Sequence, residues 1–145
     1  MMRDALGRVL GRRPPALQVG AICFSPETGR VLLITSRGTG RWIIPKGWPM
    51  SGRSAAGAAE REAWEEAGVR GEVSQQPLGR YAAIKSSDGG VSLPVEVQVH
   101  LIRVHELADD YPEVGQRSRR WFLPLDAAGL VHEDGLKALL RDLRL

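Results

Sequence analysis

The stretch from Ser54 to Val69, SAAGAAEREAWEEAGV, constrains this chain more than any other. Between Ser54 and Ala67 it is mostly alanine and glutamate, with no proline and no β-branched residue. It therefore predicts a helix, weakened in its first turns by Gly57. Gly68 is placed to end it, because glycine takes the left-handed position after a helix without steric cost. On that helix Glu62, Glu65 and Glu66 stand at i, i+3 and i+4 and share one face. At a separation of about 6 Å and an effective dielectric of about 20, each pair of such charges repels by roughly 3 kcal/mol. Open solvent or a bound cation relieves that repulsion, and a solvated acidic face is the commoner case. Against it, Ala56, Ala59, Ala63 and Ala67 form a small-residue stripe on the neighbouring face. Such a stripe suits close packing on a sheet and implies an anchored helix.

The flanks add to the case for a cation. Gly47 and Gly52 predict a flexible approach loop that can come close to a ligand, and Lys46 and Arg61 put positive charge beside the acids. Hard carboxylate oxygens with room for water are what Mg²⁺ prefers, its shell completed by phosphate oxygens. The run Gly47, Arg61-Glu62, Ala63, Glu65-Glu66, Gly68, Val69 resembles the Nudix box. That pattern is a glycine, five residues, a glutamate, seven residues, Arg-Glu, an apolar residue, any residue, Glu-Glu, any residue, a glycine and an apolar residue. One position departs: Arg53 stands where the first glutamate is expected, at the helix entrance and outside the Glu62–Glu66 face. The resemblance implies an α/β Nudix fold, with a mixed β-sheet sandwiched between α-helices.

The 145 residues suit one such domain with a sizeable core. No apolar run approaches 20 residues, so no membrane span is expected. The single cysteine, Cys23, sits in the apolar run AICF, which excludes a disulfide scaffold and predicts a buried, reduced thiol in a cytoplasmic protein. The net charge of +3 and pI near 9.5 rest on arginine, since Lys46, Lys85 and Lys137 are the only lysines. A basic surface fits an anionic partner such as a polyphosphate, although a bias toward arginine and alanine explains the total equally well.

In chain order, residues 1–15 (MMRDALGRVLGRRPP) read as an Arg-rich arm, with Pro14 and Pro15 as the boundary to a domain spanning 16–145. Leu17 to Phe24 and Arg30 to Ser36 predict two strands joined by a turn. Arg41 to Pro45 is a short extended run, and a further strand is expected near Gly79 to Ile84, before the turn SSDGG. Val91 to His105 alternates cleanly, with Val95, Val97, Val99 and Leu101 on one face and Glu96, Gln98, His100 and Ile102 on the other. His100 is expected to be half-exposed and outside the site, and no zinc-type spacing exists. Tyr111 to Arg120 reads as a basic loop, and Glu133 to Leu143 as a helix with Leu136, Leu139, Leu140 and Leu143 facing the core.

Beyond the box, Thr35-Ser36-Arg37, Arg41-Trp42-Ile43-Ile44-Pro45 and the loop before Trp121-Phe122 resemble the diphosphoinositol polyphosphate phosphohydrolase branch of the Nudix family, bacterial members included. That resemblance implies phosphate contacts from Arg37 and Arg117, whose guanidinium forks match two phosphate oxygens. Arg41, Lys46 and Gly47 complete the expected substrate-binding set. Where the branch usually has a glycine triplet, this chain has Lys46-Gly47-Trp48. Where eukaryotic members carry basic residues at the first strand, it has Leu17 and Gln18, so a diadenosine polyphosphate or another nucleoside diphosphate derivative competes with a diphosphoinositol polyphosphate as substrate.

Hydrolysis of a P–O–P linkage needs an in-line water and cations against the equatorial oxygens. Glu62 and Glu66 are the expected direct ligands of Mg²⁺ or Mn²⁺, with Glu65 at the metal as well and first choice as general base. Glu113 reaches in as a fourth acid, and Arg61 resembles the family arginine that orients a box glutamate. Two other classes stand beside this one. A nucleotide-binding or regulatory module without catalysis is suggested by Arg53. An RNA 5′-end pyrophosphohydrolase is suggested by Arg8, Arg12 and Arg13, but the arm lacks aromatics for base stacking and nucleic acid is not the expected partner. The resemblance also admits a homodimer, for which no stretch of the sequence marks an interface.

Overall fold

In a computed structural model of the chain, residues 14–86 and 90–145 are described. The expected arm, with Arg8, Arg12 and Arg13, falls almost wholly outside them. Strands β1 (Ala16–Phe24), β2 (Val31–Thr35), β3 (Trp42–Ile43) and β4 (Lys46–Gly47) precede helix α1 (Ala55–Ala67). Then come β5 (Val69–Val73), β6 (Gly79–Ser86), β7 (Ser92–Leu107), β8 (Arg119–Phe122), α2 (Pro124–Leu130) and α3 (Asp134–Arg141).

β1 and β7 run parallel at the centre of the sheet, with Val19 opposite Gln98 and Cys23 opposite Ile102. The other pairings are antiparallel, in the order β3-β2-β1-β7-β5, with β4 on β1, β6 on β7 and β8 on β2. Alternation along β1 divides the interior in two. Val19, Ala21 and Cys23 pack with Ala58, Ala59, Ala63 and Ala67 of α1, whereas Ile22 joins Val97, Val99, Leu136 and Leu140 beneath α2 and α3. The sheet is therefore sandwiched between helices. Three members of the alanine stripe have no exposed surface at all, because only a methyl group lets a helix backbone lie this close to strands. Cys23 is wholly buried and free, and burial pushes its thiol up to about 12, far from nucleophilic use. No helix among the described residues is long and apolar enough to cross a membrane.

Several elements differ from the sequence reading, each for a local reason. The approach loop is not loose: Lys46 and Gly47 pair with Gly20 and Val19 of β1. Such a two-residue strand leaves no periodicity to detect. β5 hides because its ladder slips between Arg70 and Gly71, a bulge that breaks alternation. There a Cβ on Gly71 would run into the Arg103 carbonyl. β8 hides behind Arg119 and Arg120, and α2 starts on Pro124, a residue suited to the first helical turn. His100, expected half-exposed, is buried, with Nδ1 2.8 Å from the Ser74 carbonyl and Nε2 3.0 Å from Gln98 Nε2.

Both ends of α1 are fixed. The Ser54 hydroxyl accepts the Gly57 N–H at 3.0 Å, and Gly68 closes the helix at φ 68°. Arg119 donates from Nη1 to the Ala67 carbonyl at 2.7 Å, a cation at the negative end of the helix dipole. A Cβ on Gly68 would meet the Tyr111 ring at 2.6 Å and Arg119 at 2.8 Å. Gly68→Ala is expected to lower unfolding free energy by about 2 kcal/mol or more, from left-handed strain plus this contact. Urea denaturation would show it as a lower midpoint with an unchanged slope.

Candidate active site

The acids of α1 lie at the junction of β4, the helix and the loop before β8. Gly47 faces the helix so closely that a Cβ would overlap the Glu62 carboxyl group, so the glycine makes room for a side chain rather than supplying flexibility. One residue earlier, the Lys46 backbone N–H donates to Glu66 Oε1 at 3.2 Å. The Glu66 side chain is only 9% exposed, and its carboxyl is hydrogen-bonded to that of Glu62. Two carboxyls can share such a bond only by sharing a proton.

Burial is the first reason that Glu66 is pushed up to about 8. The nearby Arg117 cation works against it, while the hydrogen bond and charge of Glu62 add to the rise. Glu62 is also raised, first by burial and then by the charges of Glu65 and Glu113, while its bond from Glu66 offsets part of this.

Glu65 turns to the side, where Arg61 Nε donates to its Oε1 at 2.7 Å, one helical turn back. The Glu65 carbonyl accepts the Glu113 N–H at 3.0 Å, pinning the loop before β8 to the helix. Glu113 then meets Arg117 Nε at 3.2 Å and Arg37 Nη1 at 3.7 Å. Arg37 also donates to Gln116 Oε1 at 2.9 Å and is more than half exposed. The mouth of the cluster is therefore cationic and open.

Arg117 does not present the free fork that the sequence suggests. Its side chain is 8% exposed, Nη1 donates to the Thr35 carbonyl at 3.1 Å, and Nη2 lies 3.7 Å from Glu66 Oε2. With Nε on Glu113, all three nitrogens face protein oxygens, because the tight turn from Glu113 to Gln116 directs residue 117 inward. Lys46 brings its backbone to the acids, but its ammonium donates to Gln18 Oε1 at 3.3 Å. By strand alternation Gln18 lies on the α3 side of the sheet. Burial, and then Lys85, hold the Lys46 ammonium below its ordinary pKa. Arg41 stays on its own turn, with Nε donating to Thr39 Oγ1 at 3.3 Å. Gln116 is a partner that the sequence does not point to, and the contacts of Thr35 and Gln18 are equally illegible there, since each joins residues far apart in the chain.

No three acidic, histidine or cysteine side chains among the described residues are arranged to cage an ion. The donor set nevertheless suits Mg²⁺ or Mn²⁺. Glu62 and Glu66 bring hard carboxylate oxygens together beside β4, and Mg²⁺ needs only one or two carboxylates where water and phosphate complete its shell.

Residues 14–143 match the sequence profile of the NUDIX domain. Human diphosphoinositol polyphosphate phosphohydrolase 3-alpha is 34% identical over 115 residues, which are 76% of this chain and 65% of that protein. Rat diphosphoinositol polyphosphate phosphohydrolase 2 is 33% identical over 115 residues, 76% of this chain and 59% of that protein. The chain thus spans less than two thirds of the length of these relatives. Among solved structures, C. elegans Ap4A hydrolase superposes with a TM-score of 0.60 at 20% identity, covering 88% of this chain and 95% of that one. E. coli dihydroneopterin triphosphate pyrophosphohydrolase gives a TM-score of 0.67 at 17% identity, covering 88% and 93%. These two likenesses speak to the fold, while the domain profile takes in nearly the whole sequence: the chain belongs to the Nudix family.

Proposed function

We propose that this chain is a divalent-metal-dependent pyrophosphohydrolase that cleaves a P–O–P linkage in a nucleoside diphosphate derivative, diadenosine polyphosphates included. One observation carries the reading: the Glu62 and Glu66 carboxyls crowd together against β4, beside Gly47 and the Lys46 N–H, where a bound cation would relieve their repulsion. A sequence relative and a structural neighbour supply two substrate classes by their names, diphosphoinositol polyphosphates and Ap4A. Neutral Leu17 and buried Gln18 at the start of β1 leave Arg37 as the exposed cation paired with the cluster. That modest charge favours a short polyphosphate chain over a densely phosphorylated inositol.

Glu62 and Glu66 would hold Mg²⁺ or Mn²⁺, with Glu65 close by. The ion supplies, when bound, positive charge opposite the phosphoryl oxygens and greater acidity to a neighbouring water. Glu65 is the base: its carboxylate takes a proton from the attacking water, and Arg61 Nε holds it in one orientation. Arg37 receives phosphate oxygens at the mouth. Arg117 offsets the charge of Glu66 and Glu113 from inside, which keeps the acids together when the shared proton leaves. Arg53, the feature behind a non-catalytic reading, does not touch these acids; it lines a depression with Trp64 and Arg70.

Phosphate release from Ap4A, a nucleotide sugar and a diphosphoinositol polyphosphate, with and without Mg²⁺, tests the assignment. Turnover is expected only with the metal and fastest on Ap4A. No turnover of any of the three, with metal bound, would overturn it. Glu65→Gln should lower kcat by about 10²–10⁴ with metal affinity retained.

The pH dependence follows from Glu66. Its ordinary value is 4.5 and in the fold it lies at about 8, so over that window the folded chain keeps a proton that the unfolded chain releases. The associated stability is fully present below about 4.5 and is lost as pH rises through about 8. Urea midpoints in chelator should fall across this range. Mg²⁺ should restore them at the alkaline end, and Glu66→Gln should flatten the profile.

A further inference from the structure

Arg53, the residue that breaks the family pattern, faces a depression of about 350 Å³ lined by Arg53, Glu60, Arg61, Trp64, Arg70 and the β5 backbone at Gly71. Its three arginines come from three elements: the turn before α1, the helix itself and β5. The Arg70/Gly71 bulge supplies the third; bulges re-aim side chains, and the Arg70 guanidinium lies 4.1 Å from the centre of the Trp64 ring. Arg53 is exposed, and its side chain makes no bond among the described residues. Arg61 engages Glu65 through Nε, and Arg70 meets Glu106 at 3.4 Å in an exposed pair. Glu60 is the only acid in the lining. Arg61 and Arg70 are each paired through Nε with an acid outside the lining, so what the depression offers an anion is the unpaired Arg53 and the remaining N–H donors of the other two. Beside a half-buried indole these match a phosphate joined to a flat ring. The Arg53 and Arg61 guanidiniums fork onto phosphate oxygens, and the Arg70 guanidinium, stacked on the Trp64 ring, offers its outer plane to a flat ring, in an open depression at the small end of small-molecule sites. A glutamate at position 53 would remove this charge, which gives Arg53 a reason that the acid cluster does not.

We propose that this depression is a second, metal-independent binding site for a nucleoside monophosphate-like ligand, with phosphate on Arg53 and Arg61 and base against Trp64 and Arg70. The site lies on the next face of α1 from the Glu62–Glu66 cluster and shares only Arg61 with it, and its occupancy does not require hydrolysis.

Calorimetric titration of the full chain with AMP, and separately with inorganic phosphate, in the presence of chelator tests this. One AMP is expected per chain, bound more tightly than phosphate. Arg53→Ala and Arg70→Ala should each weaken AMP by about tenfold, the scale of a lost charge-assisted contact. Trp64→Leu should bring AMP down to the affinity of phosphate, and Glu66→Gln should change nothing. Metal-dependent turnover of the Arg53→Ala and Arg70→Ala chains should match the unaltered one. Binding that needs Mg²⁺, or that falls with Glu66→Gln rather than Arg53→Ala, would place AMP at the acid cluster and overturn the proposal. Absence of AMP binding, or equal affinity for AMP and phosphate, would overturn it as well. Because binding is read without metal, a chain that fails to hydrolyse any diphosphate leaves these outcomes distinct.

Discussion

A carboxyl group taken out of water beside a second one must be compensated, and the neighbourhood of Glu66 is arranged around that demand. Compensation comes from the Lys46 N–H, from the proton shared with Glu62 and from the Arg117 guanidinium. Each compels something further. Supplying the N–H requires chain 46–47 to run as a strand on β1. Sharing the proton requires Glu62 to lie against Gly47, where no side chain is tolerated. Bringing Arg117 inward requires the loop before β8 to fold back onto α1 through the Glu113 N–H. A bare buried carboxylate costs far more than a solvated one, so these features stand or fall together.

Arg117 also explains why the site is held by β2 as well as α1. By donating to the Thr35 carbonyl it ties the end of β2 to the acids, and the Ser118 N–H, 2.9 Å from Thr35 Oγ1, repeats the tie one residue on. Arg37, two residues beyond Thr35, is thereby delivered to the mouth beside Glu113 and Gln116. Two arginines with the same chemistry thus take different tasks according to burial. The enclosed one is consumed in balancing charge, and the exposed one keeps donors turned to solvent.

The helix, its terminal glycine, the alanine stripe and the central strands are legible in the sequence because each is a local pattern: composition, a glycine after the last turn, alternation. The convergence of Glu62 and Glu66 is legible too, since i, i+4 spacing fixes it before any tertiary contact. What escapes is non-local or too short to be periodic. β4 has two residues, β5 is broken at Gly71, and the inward turn of Arg117 depends on partners at positions 35, 66 and 113. The direction of the Lys46 side chain escapes for the same reason, because it follows from which face of β1 carries Gln18. The expected site residues therefore gather only in part: Glu62, Glu65, Glu66, Glu113, Arg61, Arg37 and Arg117 come together, while Arg41 and the Lys46 ammonium do not.

Helix α1 presents three different faces, and Arg61 stands where two of them meet. Its alanines face the sheet, its glutamates face the acid cluster, and Trp64 with Glu60 faces the arginine-lined depression. Arg61 lines that depression and also orients Glu65. A guanidinium has five donors in a rigid plane, so an anion in the depression and the Glu65 carboxylate can be served at once only if the plane satisfies both. Where it cannot, charge arriving on one side loosens the hold on the other. An anion seated beside Arg53 would then reach Glu65 only through Arg61, one side chain across the width of a single helix.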